Sequence, residues 1–328
     1  MDAVAACIIH EEIGAVDQGF CLSYLAHSML FVNNLAQNGS HEQKKTFLPQ
    51  ACDGSKIGGM CMSEPGYGTD VLGMETNAKR NSDGKWVLNG RKFWITNGTI
   101  DDKKTPGDMF LVYAKTGKTN KDVSLFVMDG KTKGFSVGQR ITGKCGMRAS
   151  PTAELVFDNV VLPQNALMGN ENGAVVCMMR NLEIERVTLA AMSTGLARTA
   201  LETMNKYASE RVAFKKPIRE FGQIQKHLAE SYAKFMAART YLFNTAAKMD
   251  LSKEGQRLDT DGVKLVCTTM AKEVADSAIQ VLGGAGYIAD YPVERLWRDS
   301  KLLEIGGGTL ESHQKNMTRE MQSISLLE

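Results

Sequence analysis

No run of 18 apolar residues occurs in this sequence, so no helix long and apolar enough to span a bilayer is expected and membrane insertion is not. Neither sign of charge dominates: 39 Lys+Arg stand against 37 Asp+Glu, a net of +2. That balance excludes the basic footprint of a nucleic-acid binder and an anionic-membrane patch, and places the ligand in a local pocket. Cysteine is sparse and scattered. The seven (Cys7, Cys21, Cys52, Cys61, Cys145, Cys177, Cys267) are odd in number and contain no Cys-x-x-Cys pair, which removes the usual zinc and dithiol frameworks. They read as buried free thiols in a reducing compartment, with redox sensing as the alternative. The opening MDAVAACIIHEEIGA lacks the basic start and cleavage site of a signal peptide and the acid-poor, Arg/Ser-rich character of a transit peptide. It reads as an element begun in its middle. Repeats with a period of 20 to 50 residues are also missing.

What remains is a globular composition, 43% hydrophobic and 23% charged over 328 residues, enough for two or three domains. Periodicity changes twice. Up to about Gly54 apolar residues recur at three and four (Ala6, Ile9, Ile13; Leu22, Leu25, Met29, Val32, Leu35), with a break at Gly39 and Ser40. From Lys56 to about Pro163 the chain is Gly-rich and alternates at period two. Lys85–Leu88 runs into Asn89-Gly90 and Phe93–Thr96 into Asn97-Gly98, and each Asn-Gly predicts a hairpin-type turn. Further strands are expected at Met109–Ala114, Val123–Met128 and Ala153–Phe157, giving a small barrel or sandwich, with Thr99–Gly107 as a surface hairpin loop. After Gly169 the helical period returns over segments near 173–210, 221–250, 260–282 and 309–325, which few of the seven prolines interrupt. These predict a four-helix bundle. The expected division is a helical segment at 1–55, a middle β domain at 56–168 and a helical bundle at 169–328.

Three segments could carry chemistry. In Cys61-Met62-Ser63-Glu64-Pro65-Gly66-Tyr67-Gly68-Thr69-Asp70 small residues and hydroxyls would let backbone N–H groups, Ser63 and Thr69 approach polar ring or phosphate atoms; alone, the same stretch is a Gly-Pro turn capped by Asp70. Phe93-Trp94-Ile95-Thr96 puts an aromatic and a hydroxyl on one strand face, usable by a flat conjugated ring, though a lone Trp is more often core. Gly283-Gly284-Ala285-Gly286 lacks the GxGxxG spacing and follows a helix rather than a strand, so a Rossmann site is not expected.

Taken in order, several segments resemble the acyl-CoA dehydrogenase family across nearly the whole chain: MSEPGYGTD at 62–70, KFWITNG at 92–98, GMRASPTAELVFDNVVLP at 146–163, ERVAF at 210–214, QVLGGAGYIADYPVERLWRDSK at 280–301 and EIGGGT at 304–309. YLAHSML at 24–30 and LEIER at 182–186 resemble its isovaleryl-type members most. The resemblance implies that family's α+β multidomain fold: an N-terminal helical domain, of which this chain would carry only a remnant, a middle β-barrel or sandwich, and a C-terminal four-helix bundle. It also implies FAD at a subunit interface of a homotetramer, an acyl-CoA substrate and electron transfer flavoprotein as the partner. The compartment implied is the mitochondrial matrix in a eukaryote and the cytoplasm in a bacterium.

Carried over by position, Met62, Ser63 and Thr69 lie beside the flavin, and Trp94 and Thr96 flank its ring. Arg211, Phe214, Gln280, Gly283, Gly284, Thr309 and Glu311 match the side of the pyrophosphate and adenosine, where a guanidinium fork such as Arg211 suits a diphosphate. The reaction implied removes a proton from the carbon next to a thioester carbonyl and a hydride from the next carbon. Most of the family carries the base one residue before a Gly-Thr pair, where this chain has Gly307. Isovaleryl-type members carry it on a bundle helix before an Arg, which here is Glu185 before Arg186. Glu183 lies about 200° around the helix from it and cannot share its face. Burial among Leu182, Val187 and Leu189 would raise the Glu185 pKa.

Gly306 and Gly307, with Ser28, Thr69, Arg186 and Leu189, are expected to contact the substrate, and the Gly307 N–H to donate to its carbonyl. Isovaleryl-CoA, going to 3-methylcrotonyl-CoA in leucine breakdown, is the implied substrate. Leu303 stands where isovaleryl-type members usually have an aromatic, and Phe221-Gly222-Gln223 where Phe-Gln is usual, so butyryl- or isobutyryl-CoA remain open. So does a non-enzymatic relative of the same fold. His27 reads as a substrate-side residue or a satisfied core histidine.

Overall fold

The structure, a computed structural model, describes residues 2–250 and 257–323. Helices open the chain: α1 (Ala3–Val16), α2 (Gln18–Leu25), a π-helical stretch (Ala26–Asn33), α3 (Asn34–Asn38) and α4 (His41–Cys52). Strands follow: β1 (Gly58–Cys61), β2 (Asn77–Arg80), β3 (Trp86–Thr96), β4 (Met109–Lys115), β5 (Val123–Asp129), β6 (Phe135–Arg140), β7 (Thr152–Leu162) and β8 (Leu167–Met168). Then come α5 (Ala174–Glu210), a small hairpin of β9 (Val212–Ala213) and β10 (Lys216–Pro217), α6 (Gly222–Lys248), α7 (Arg257–Leu282), α8 (Val293–Leu303) and α9 (Leu310–Glu320). By contacts the chain divides into a β unit, 22–144 with 150–182, and a helical unit, 1–21 with 145–149 and 183–328.

In the β unit the Gly39–Ser40 break is a helix start. Ser40 accepts from the Gln43 N–H at 3.2 Å while the Gln43 side chain accepts from the Ser40 N–H at 2.9 Å, a reciprocal cap. All eight strands join one sheet in the order β6-β7-β3-β2-β4-β5-β8, with β1 paired in parallel to β4. Strand β4 explains why it is buried on both faces. Phe110, Val112 and Ala114 enter one core with Trp86, Phe126, Phe135 and Phe157, while Met109, Leu111 and Tyr113 enter another with Phe31 and Leu35 from the helices. The Phe110 and Phe135 rings lie 5.1 Å apart although β4 and β6 are far apart in the strand order, so the sheet curls over its own core.

One turn expectation is overturned. Asn89-Gly90 does not reverse the chain: β3 continues through it to Thr96, and the register against β7 slips between Leu88 and Gly90. The cause is a bulge. Gly90 has φ +145°, and a Cβ there would stand 2.5 Å from Thr76 Oγ1, so glycine serves a strand bend with close approach. Asn97, with φ +61°, does end the strand, and the loop after it closes as a hairpin through Ile100 N–H to Thr105 O at 3.0 Å.

In the helical unit α5, α6, α7 and α9 take up the four expected segments, and the short α8 adds a fifth helix that the pattern did not predict. Residues 324–325, the end of the expected fourth segment, lie outside the described residues. Helix α1 belongs to this unit by contact: Glu11 meets Arg239 of α6 at 2.8 Å, and Glu12 and Arg198 of α5 pair through both carboxylate oxygens. Cys145–Ala149 is tied in by Arg298, which donates to Cys145 O at 2.8 Å, and by Asp299, which accepts from Met147 N–H. None of the seven cysteines forms a disulfide. Four (Cys7, Cys21, Cys61, Cys267) are buried as expected, but Cys52, at the end of α4, and Cys145, on a bend, are exposed.

Candidate active site

Glu185 lies on α5 and is 8% exposed, between Ile184 and Val187 and close to Leu189. Glu183 is also buried, at 6%. Instead of a solvated helix pair, Glu185 and Arg186 are both interior. The turn after α8 meets this carboxyl. A Cβ placed on Gly307 would stand 3.5 Å from Glu185 Oε1 and only 2.3 Å from Leu189 Cδ1, and Gly307 has φ +68°. A side chain at 307 would therefore be strained by the left-handed backbone and would have to displace the Leu189 methyl.

Burial is the main influence on Glu185 and raises its pKa from 4.5 to about 7, against the pull of the Arg186 and Lys264 cations. Its carboxyl makes no hydrogen bond among the described residues. It is a carboxyl near half-ionisation at neutral pH, the condition a general base needs.

Around it stands a cluster of buried charges. Arg186 Nε lies 3.2 Å from Asp261 Oδ1. Lys264, fully buried, donates to Leu303 O at 2.5 Å and Gly308 O at 3.3 Å, and burial lowers its pKa to about 8 against the attraction of Glu185. His313 bridges Gly308 O at 3.0 Å through Nε2 and Asp261 Oδ1 at 2.5 Å through Nδ1. Burial holds the imidazole below its ordinary pKa. Sequence reading missed Asp261, Lys264 and His313. A usable signal was Lys264 itself, a charge on the stripe Val263, Cys267, Met270, Ala271 and Val274 that packs inward.

The β unit holds a second group of expected residues. The Phe93 N–H donates to Ser63 O at 2.9 Å, joining the MSEPGYGTD loop to β3. Beneath that joint Lys92, fully buried, donates to Met62 O at 2.8 Å and to Glu64 Oε1 at 2.9 Å. Glu64 also accepts the N–H groups of Glu75 at 2.7 Å and Thr76 at 3.0 Å. Burial works to raise the Glu64 pKa, but Lys92 and these bonds outweigh it and hold the carboxyl low. Burial in turn lowers Lys92. This buried pair was not read from the sequence.

A second bulge on β3, between Lys92 and Ile95, breaks the alternation: Lys92 and Ile95 turn inward, while Trp94, at φ +58°, is left 53% exposed. Thr96 is half-buried and Thr69 exposed. Asp70 makes no side-chain cap to the short helix that follows it. Ser28 Oγ donates to Tyr24 O at 2.7 Å. His27 spends both ring nitrogens on backbone, Nδ1 accepting from Gly58 N–H at 2.9 Å and Nε2 lying 3.1 Å from Ala51 O, the pattern of a satisfied structural histidine.

The remaining expected residues lie on the helical unit. Arg211, Gln280, Gly283, Gly284 and Glu311 are exposed, and Phe214 is 90% exposed. A Cβ placed on Gly283 or Gly284 would meet nothing within 4 Å, and Thr309 caps α9 by accepting from Ser312 N–H. No hydrogen bond joins Arg211, Gln280 and Thr309 to one another among the described residues. Taken by itself, each unit offers features that suit part of a flavin dinucleotide: the β unit an exposed indole, the helical unit glycines with open space above them and an exposed guanidinium suited to a diphosphate. Among the described residues no cluster of His, Cys, Asp or Glu could hold a metal ion.

Comparison with known proteins agrees along the chain. Models of the acyl-CoA dehydrogenase N-terminal, middle and C-terminal domains match residues 1–55, 59–160 and 171–322. Mitochondrial isovaleryl-CoA dehydrogenase of Oryza sativa is 40% identical over 317 residues, covering 96% of this chain and 75% of the relative, and that of Solanum tuberosum is 38% identical over the same shares. The solved structure of butyryl-CoA dehydrogenase from Megasphaera elsdenii superposes with a TM-score of 0.93 at 33% identity, covering 98% of this chain and 82% of that one. The chain belongs to the acyl-CoA dehydrogenase family, oxidoreductases that act on CH–CH bonds.

Proposed function

We propose that this chain dehydrogenates a short branched acyl-CoA, isovaleryl-CoA to 3-methylcrotonyl-CoA, with Glu185 as the base. The observation that carries the reading is the exchange at the glycine turn: position 307 carries no carboxyl, and the Glu185 carboxyl lies next to it. Glu185 takes the proton from the carbon next to the thioester carbonyl, and the electrons of that C–H bond become the new C=C bond as a hydride leaves the neighbouring carbon. FAD, when bound, accepts that hydride. The Gly307 N–H serves as donor to the carbonyl oxygen, on which negative charge develops. Burial of Glu185 keeps water from competing for the proton and places its pKa near the working range.

On the β unit Met62, Ser63, Thr69, Trp94 and Thr96 would face the flavin; on the helical unit Arg211, Phe214, Gln280, Gly283, Gly284, Thr309 and Glu311 would contact the pyrophosphate and adenosine, in several cases those of the FAD of a neighbouring copy. The exposure of Phe214, Val212, Tyr287 and Ile288 favours a homotetramer in which copies cover them. Electrons would pass to electron transfer flavoprotein, in the mitochondrial matrix for a eukaryotic source and in the cytoplasm for a bacterial one. A second reading, a straight short acyl-CoA such as butyryl-CoA, is favoured by Leu303, which stands where isovaleryl-type members usually have an aromatic, and by the likeness to the Megasphaera enzyme.

The test is anaerobic bleaching of the flavin by isovaleryl-, isobutyryl-, butyryl- and octanoyl-CoA. Isovaleryl-CoA is expected to bleach fastest, and a butyryl preference would select the second reading. Glu185→Gln should keep FAD and bind substrate yet lose bleaching, and Glu183→Gln should not. Equal loss in both would remove Glu185 from the role.

A further inference from the structure

We propose that Lys264 is a positioning residue for the Glu185 base, its ammonium clasping the backbone carbonyls on both sides of the glycine turn and keeping a positive charge beside the carboxyl. The inference rests on Glu185 being the base. A lysine on the inward stripe of α7, among residues no more than 4% exposed, needs a reason to be there. The structure supplies two. Its donors reach Leu303 O at 2.5 Å, one of the carbonyls that α8 leaves without a helical partner at its C-terminus, and Gly308 O at 3.3 Å. The four residues between those carbonyls include Gly306 and Gly307, so one ammonium sets the opening of the turn. His313 holds Gly308 O a second time and is itself anchored on Asp261.

The second reason is charge. Lys264 lies within the electrostatic reach of Glu185 and Arg186 from α5, Asp261 one turn back on α7, Glu304 at the end of α8 and His313 from α9. Arg257, at the start of α7, acts on Arg186 beyond them. From α6 Tyr241 reaches the start of α7, bonded to Asp259 at 3.1 Å. Asp261 is already engaged by Arg186 and His313, and Glu304 by Lys301 at 2.7 Å. Glu185 is thus the carboxyl in this cluster without a hydrogen-bonded partner among the described residues. The Lys264 charge opposes the effect of burial there, keeping enough of the carboxyl ionised at neutral pH to accept a proton.

The experiment reads the Glu185 carboxyl directly. Infrared spectra of protein labelled with ¹³C-glutamate are recorded against pH, and the same background carrying Glu185→Gln is subtracted to isolate one band. In the wild type that band should titrate near pH 7. In Lys264→Met and Lys264→Gln it should titrate about one pH unit or more higher, and Lys264→Arg should restore it. The pH limb of flavin bleaching by isovaleryl-CoA should move with it. A lysine that only braces the fold would lower stability and leave the band where it was. Gln keeps a donor for the carbonyls, so if the Met variant fails to fold the Gln variant decides. A folded Lys264→Gln protein with an unmoved band overturns the proposal, as does collapse of all three variants, arginine included. Failure of the underlying reading looks different: Glu185→Gln in the wild-type background would still be bleached.

Discussion

Each unit buries a glutamate within the field of a buried lysine, and the two pairs behave in opposite ways. Glu64 of the β unit is met by the Lys92 ammonium and two backbone N–H groups, and its carboxyl stays low despite burial. Glu185 of the helical unit has a lysine nearby, but Lys264 spends its donors on backbone carbonyls, and the glutamate rises to about 7. Burial alone therefore does not make a base. What matters is whether hydrogen-bond donors are aimed at the carboxylate, and an acid left without them retains its affinity for a proton.

The largest expected effect is on turnover. Glu185→Gln should slow flavin reduction by about 10²- to 10⁴-fold, the usual worth of a general base, while Glu64→Gln should leave the rate per flavin-loaded molecule within a few-fold; stopped-flow bleaching measures both. Stability should reverse the order. Glu64→Gln leaves the Lys92 charge buried without its counter-ion and should cost about 3–5 kcal/mol in urea unfolding at pH 7. A loss below 1 kcal/mol would erase the contrast between the two pairs.

The pH dependence sharpens the comparison. Glu185 is raised in the fold, so the folded state holds its proton more tightly; this contribution is full below pH 4.5 and is lost as pH rises through about 7. Replacing it by Gln should make the protein more stable than wild type above pH 7, by about 3 kcal/mol, with no such gain below pH 4.5. Glu64, held low, works the other way: its contribution is present above the unfolded carboxyl range and is lost as pH falls through its folded pKa. Denaturation at pH 4 and pH 8 compares the two directly.

Two glycine substitutions give the smallest effects. Gly307→Ala should cost about 1–3 kcal/mol from the left-handed backbone and the Leu189 clash, and Leu189→Ala should relieve part of that cost. Gly66→Ala on the β-unit loop, whose Cβ would meet nothing within 4 Å, should change stability by less than about 0.5 kcal/mol. Its readout is FAD affinity.

The order of helices, strands and helices was legible because periodicity of apolar residues reports which faces are inward, whatever they pack against. Asn89-Gly90 was misread because the dipeptide that suits a tight turn also suits a bulge, and only the pairing of β3 with β7 distinguishes them. Trp94 and Thr96 could be singled out, yet the bulge that turns Lys92 inward and leaves Trp94 outside could not, since a one-residue slip leaves no mark on composition. Glu185 was nameable only through the family resemblance, from its place before Arg186 and the absence of a carboxyl at 307; by itself a mid-helix Glu-Arg pair reads as solvated. Its supporting residues Asp261, Lys264 and His313 were not, because they lie 76 to 128 positions from it and act through space.

The sequence by itself determined the types of the elements, the family, and that position 307 offers no carboxyl. Only the tertiary structure decided that the Leu189 methyl fills the volume at 307 and that burial raises Glu185 toward neutrality. It also decided that one buried lysine is spent on a carboxylate while the other is spent on carbonyls. A pKa and an excluded volume are set by distances between residues far apart along the chain, and those distances exist only once the chain has packed.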